Sequence, residues 1–146
     1  MNELQAQSLV VNAVRIYDGF GVKLAHKFLV GIPDLLLCLP NQPIGLWEVK
    51  IDNVPKRDNY ITLKLTQLQE KTLNDLNKAG GYCGVISFLR DGQKLSIAAF
   101  RYDILRYEDS WTEKHRVSIL GYAELRRGLR EETIVSVLER AHGQRV

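Results

Sequence analysis

The sequence has two cysteines, four prolines and no apolar run approaching the roughly 18 residues that a membrane-spanning helix needs. Cys38 and Cys83 lie far apart, with no C-x-x-C and no adjacent histidine, which argues against both a zinc site and a disulfide framework. Both thiols read as buried strand residues. Asn2, Glu3, Gln5, Gln7 and Asn12 stand where a signal peptide would carry its apolar core, so the expectation is a cytoplasmic protein with no membrane partner. No G-x-x-x-x-G-K-[ST] or G-x-G-x-x-G is present, so no nucleotide cofactor is expected, and Gly80-Gly81 reads as a helix stop. His26, His115 and His142 are scattered, without the serine or cysteine and aspartate that a catalytic triad requires. Eleven glycines and four prolines are too few for a collagenous or linker-like chain, and there is neither a repeat nor a low-complexity segment. A strong excess of one charge is missing too. Twenty basic against 17 acidic residues give +3, which permits a polyanionic partner but is far from the charge of a protein that coats nucleic acid.

What is present is a chain of 146 residues, 45% hydrophobic, enough for one packed domain and too little for two. Leu4, Leu9, Val10, Ala13, Val14 and Tyr17 recur at helical spacing, with Asp18-Gly19 and Gly21 as the stop, so a helix is predicted over residues 3 to 17. Gly21 to Leu29 alternates like an edge strand. Leu35 to Leu39 and Ile44 to Ile51 are apolar strands joined by Pro40-Asn41-Gln42-Pro43, which makes a hairpin. Residues 52 to 64 are polar and broken by proline and read as an exposed loop. A second helix starts at Thr66, with Leu68, Thr72, Leu73 and Leu76 as its buried stripe. Tyr82 to Leu89 and Lys94 to Phe100 are strands turned at Asp91-Gly92. The tail carries nine basic and eight acidic residues, with helical patterns at Tyr102 to Tyr107 and at Glu131 to Ala141.

Glu48 and Lys50 are two apart on a strand and so share one face, while Trp47, Val49 and Ile51 take the other. Trp47 reads as core. A hairpin centred on Asn41-Gln42 sets Asp34 within one residue of opposite Glu48. Two carboxylates brought together on an apolar sheet repel, and a divalent cation removes that conflict. Oxygen donors of this kind suit Mg²⁺, with Mn²⁺ able to substitute, better than zinc. A lysine two residues beyond the second acid can hydrogen-bond a metal-activated water and offset charge building on a phosphate. An E-x-K triplet is common by chance. Its place on an apolar strand, after Gly-Ile-Pro-Asp and before a helix, is what carries weight.

Gly31-Ile32-Pro33-Asp34, Glu48-Val49-Lys50, and Leu65-Thr66-Gln67-Leu68-Gln69 leading through Leu73 and Leu76 to Ala79-Gly80 resemble the PD-(D/E)XK nuclease superfamily. Within it they look most like the VRR-NUC branch, close to Holliday-junction resolvases. The resemblance spans roughly residues 3 to 100. It implies a restriction-endonuclease-like α/β core, a central mixed sheet flanked by helices in αβββαββ order, over residues 1–102. A partly helical extension, 103–146, would pack on the same domain or form a dimer interface. The resemblance makes Asp34 and Glu48 the metal-binding acids, the Val49 carbonyl a further ligand, Lys50 the catalytic lysine, and Gln69 a residue that positions water or phosphate. Glu3 matches an acid that some relatives aim at the metal. The stretch from Lys50 to Thr66 is longer than the family's usual connection and carries Lys56, Arg57 and Lys64; with Lys27, these are the expected DNA contacts.

The resulting expectation is a Mg²⁺-dependent, structure-selective DNA endonuclease acting on branched or nicked DNA in phage or bacterial replication, repair or recombination. Resemblance to stand-alone members favours a homodimer, with the tail or an apolar face of the first helix as its interface. The alternatives are a sequence-nonspecific nickase or exonuclease, or a non-catalytic nucleic-acid-binding module.

Overall fold

Asn2 starts the first helix with a capping box: its side chain accepts from the Gln5 amide at 2.8 Å while the Gln5 side chain accepts from the Asn2 amide at 2.9 Å. In the computed structural model, which describes residues 1–24, 30–53, 60–92, 94–105, 116–118, 123–125 and 131–142, this helix, α1, runs Glu3–Ile16. Ala6, Val10, Ala13 and Val14 form its buried stripe. The expected stripe is too long at both ends: Leu4 is exposed, and so is Tyr17, which follows the last residue of α1.

Strands β1 (Phe20–Lys23), β2 (Leu35–Cys38) and β3 (Gly45–Asn53) follow as an antiparallel meander. β1 stops at Lys23; the rest of the strand expected to reach Leu29 falls at 25–29, outside the described residues. The β2–β3 turn takes Asn41 to φ 62°, and Leu35 pairs with Trp47, one residue from the centring the sequence suggested. Extending that register sets Asp34 opposite Glu48.

Helix α2 (Gln67–Lys78) then carries the chain to β5 (Tyr82–Asp91), which lies parallel to β3 over its whole length. Gly80, at φ +86°, ends α2 as a left-handed residue. β5 turns through Gly92, at φ +60°, into antiparallel β6 (Lys94–Arg101). Short α3 (Tyr102–Leu105) and α4 (Glu131–His142) occupy the two helical stretches expected in the tail.

Three short strands depart from the expected order. β4 (Tyr60–Thr62) lies within the stretch expected to be loop and pairs with β7 (Arg116–Ser118). Leu63, just after β4, is 1% exposed. β8 (Ala123–Leu125) pairs with β6 and completes a six-stranded mixed sheet of order β1-β2-β3-β5-β6-β8. The partners of β4 and β8 lie far away along the chain, so no local pattern announces them.

Alternate residues of the sheet feed two cores. Trp47, Val49, Ile86 and Phe88 pack with α1 and with Ile134, Val135, Val137, Leu138 and Ala141 of α4. Cys83, Val85, Leu89, Ala98 and Phe100 pack on the other side with Leu63, Leu73 and Tyr102. The apolar face of α1, expected to be available to a second copy, is therefore covered by α4 of the same chain. Of the two thiols, Cys83 is buried as expected but Cys38, the last residue of β2, is only half-buried; both are free. Among the described residues, no helix is long and apolar enough to cross a membrane.

Candidate active site

β2 stops pairing with β3 at Leu35, and at that point Asp34 replaces a backbone partner with its side chain: Oδ2 accepts from the Val49 amide at 2.8 Å. A strand residue directs its N–H and C=O to the same neighbour, so the Val49 carbonyl faces the edge on which Asp34 lies. The Asp34 carbonyl also accepts from the Leu24 amide at 2.7 Å, which ties this position to the end of β1. Gly31 opens the preceding turn at φ +89°, and a Cβ there would stand 2.5 Å from Leu68 Cγ of α2. Glycine lets the turn approach the start of that helix. Leu68 itself is 43% exposed rather than buried, and Leu73 is the buried member of the expected stripe.

Glu48 and Lys50 point from β3 toward α2, as their spacing predicts. Thr66 caps α2, its hydroxyl accepting from the Gln69 amide at 3.1 Å while Gln69 Oε1 accepts from the Thr66 amide at 3.0 Å. The same Oε1 accepts from Lys50 Nζ at 3.1 Å, and Gln69 Nε2 donates to Glu48 Oε1 at 2.9 Å. These partners fix the amide orientation, because only the oxygen can meet two donors and only the nitrogen can serve a carboxylate. Lys50 Nζ lies 3.8 Å from Glu48 Oε1. The capping box of α2 thus also holds the acid and the lysine of β3 in place.

Glu48 is 2% exposed. Burial, then repulsion from Asp34, lifts its carboxyl from the usual 4.5 to about 8; Lys50 pulls the other way, and a hydrogen bond between the two carboxyls favours the protonated form. The charge of Glu3, at the first turn of α1, adds a smaller upward push. Glu3 is thus close enough to be felt, yet among the described residues no three His, Cys, Asp or Glu side chains gather as a metal cluster. The donor set is two carboxylates and a main-chain carbonyl. All are hard oxygens, and their unrelieved repulsion is what a Mg²⁺-type cation would neutralise.

Of the remaining expected DNA contacts, Lys64 is largely exposed and sits 3.5 Å from Asp52. Lys27, Lys56 and Arg57 lie outside the described residues. Ser87 is a residue that sequence reasoning did not single out. It pairs with Lys50 in the parallel register, is fully buried, and among the described residues its hydroxyl has no hydrogen-bond partner. A serine inside the apolar run from Val85 to Leu89 was the available signal.

The backbone is similar to that of Hjc, a Holliday junction resolvase from the archaeal hyperthermophile Archaeoglobus fulgidus, with a TM-score of 0.52 and 12% identity over 91% of this chain and 98% of that one. The chain has a restriction-endonuclease-like α/β fold. At that identity the likeness is one of fold. No family model and no curated protein matches the sequence.

Proposed function

We propose that this chain is a Mg²⁺-dependent, structure-selective DNA endonuclease, similar to Holliday junction resolvases and, through its Gly-Ile-Pro-Asp, Glu-Val-Lys and Thr-x-x-Gln motifs, to the VRR-NUC branch. The setting is phage or bacterial replication, repair or recombination. One observation carries the reading: Gln69 Nε2 and Oε1 bind Glu48 and Lys50 at 2.9 and 3.1 Å, beside an Asp34 already fixed on the Val49 amide. Four polar groups, two from β3, one from α2 and one from the residue just before β2, converge there. A fold shared with a Holliday junction resolvase supports the same reading.

Asp34 and Glu48, with the Val49 carbonyl, would hold the cation. When bound, such an ion lowers the pKa of a coordinated water and neutralises phosphate charge. Lys50, held by Gln69, presents its ammonium to the attacking water and to the phosphate oxygens as they gain charge. Gln69 bridges Glu48 and Lys50 and so fixes where the ammonium stands relative to the carboxyl. Asp34, oriented by the Val49 amide on Oδ2, would offer a carboxylate oxygen to the ion.

A domain of this size has little room within it for a base-reading module, which favours recognition of DNA shape over base sequence. Two cuts across a two-fold junction need two sites, which a homodimer supplies. The test is a cleavage panel of four-way junction, flap, nicked and linear duplex DNA, with Mg²⁺, with Mn²⁺ and with chelator. Symmetric paired nicks in the junction, lost on chelation, are expected. Absence of cleavage on every substrate with either metal overturns the proposal.

A further inference from the structure

We propose that the groove between α1 and the outer edge of β1 is a second DNA contact, binding the phosphodiester backbone of the strand that leads away from the acid pair. This rests on the nuclease reading for the identity of the polymer, but on separate residues. The groove, about 440 Å³, is lined by Ser8, Val11, Asn12, Arg15, Val22 and Lys23. Two cations, an amide and a hydroxyl line it, and among the described residues no carboxylate does.

Ser8, Asn12 and Arg15 recur at the i, i+4, i+7 spacing of one helix face, opposite the stripe that packs on the sheet. From Ser8 to Arg15 that face advances roughly 10 Å. A DNA strand rises about 3.4 Å per phosphate, so the face spans about three phosphates. β1 is the edge strand of the sheet, and among the described residues no strand pairs with its outer side.

Both cations are held in place before any ligand arrives. Arg15 Nε donates to the Gly21 carbonyl at 3.1 Å, which leaves the outer nitrogens of its guanidinium for a phosphate. Lys23 Nζ donates to Ser8 Oγ at 2.6 Å and to the Leu4 carbonyl at 3.3 Å. Tethered side chains lose less entropy on binding than free ones.

The groove also leads to the site. Lys23 pairs with Leu35, the neighbour of Asp34, and the next residue, Leu24, donates its amide to the Asp34 carbonyl. Leu4, which accepts from Lys23, follows Glu3, whose charge is felt at Glu48. A strand whose scissile phosphate lies at the acid pair therefore meets Lys23 first and Arg15 farther out.

The experiment measures anisotropy of a labelled four-way junction in chelator, so that binding is read without cleavage, across roughly 50–200 mM salt. Combined Arg15→Ala and Lys23→Ala is expected to reduce the slope of log affinity against log salt by about two and to weaken binding roughly tenfold, equally on a linear duplex. Asn12→Asp breaks neither tether and is expected to weaken binding in the same direction, while Arg15→Lys with Lys23→Arg keeps most of the affinity. Folded variants with unchanged slope and affinity overturn the groove and leave the nuclease reading standing if the wild type cleaves. Wild-type binding without cleavage, weakened by the double substitution, supports the groove while the nuclease reading fails. Should the variants instead convert a dimer to a monomer at unchanged salt slope, the groove is a contact between copies and the proposal falls.

Discussion

Alternate residues of one nine-residue strand, β3, make two faces with opposite duties. Trp47 and Val49 enter an apolar core closed by α1 and α4, where the return is stability. Glu48 and Lys50 face the start of α2, where Gln69 answers both. On the first face burial is favourable. On the second, burial works against Glu48, which is pushed toward protonation by the same sheet that positions it. The packing of one side of the strand thus holds a carboxyl on the other side in surroundings that disfavour its charge.

The comparison breaks most sharply if substitutions on the two faces exchange their effects. Lys50→Ala or Asp34→Asn is expected to lower cleavage by about 10³-fold or more while DNA binding and circular dichroism stay near wild type. Trp47→Ala, 3% exposed in the native chain, is expected to cost about 3–5 kcal/mol in urea unfolding. Its per-molecule cleavage rate, measured well below the unfolding midpoint, should fall far less than that of Lys50→Ala.

Glu48 gives a pH signature that the apolar face cannot. Its folded pKa, about 8, lies above the ordinary 4.5, so the folded chain keeps a proton that the unfolded chain releases. The contribution to stability is full below pH 4.5, declines as pH rises, and is lost above about 8. In chelator, wild type should lose a few kcal/mol more than Glu48→Gln across that window, a difference cancelling the other titrations. At pH 8, Mg²⁺ should raise the thermal midpoint of the wild type and leave that of Glu48→Gln unmoved. The smallest effect belongs to Thr66→Ala. Loss of the cap should cost about 1 kcal/mol and reduce cleavage modestly, because Gln69 retains its side-chain bonds to Glu48 and Lys50.

Much of this was legible locally. The alternation in Trp47-Glu48-Val49-Lys50 assigns each residue its face, and a short proline-flanked turn leaves little choice about where Asp34 falls. Thr66 and Gln69 at capping-box spacing mark where α2 begins. The three short strands were hidden for a common reason. β4, β7 and β8 are three residues each and owe their existence to partners elsewhere in the chain, so no periodicity could form. Leu68 was misread because helical spacing says which residues share a face, not which of them another element covers.

The sequence by itself determined the elements and the chemistry available to them: a hairpin with an acid at its mouth, an acid and a lysine on one strand face, and a glutamine three residues after a helix cap. Periodicity and turn residues act over a few positions, and such information survives in one dimension. Tertiary structure decided what those groups meet. It brought Gln69 between Glu48 and Lys50, buried Glu48 against Asp34, closed α1 with α4, and set Arg15 and Lys23 along the edge strand's groove. Those outcomes depend on packing between segments far apart in the chain, where burial and proximity set the energies.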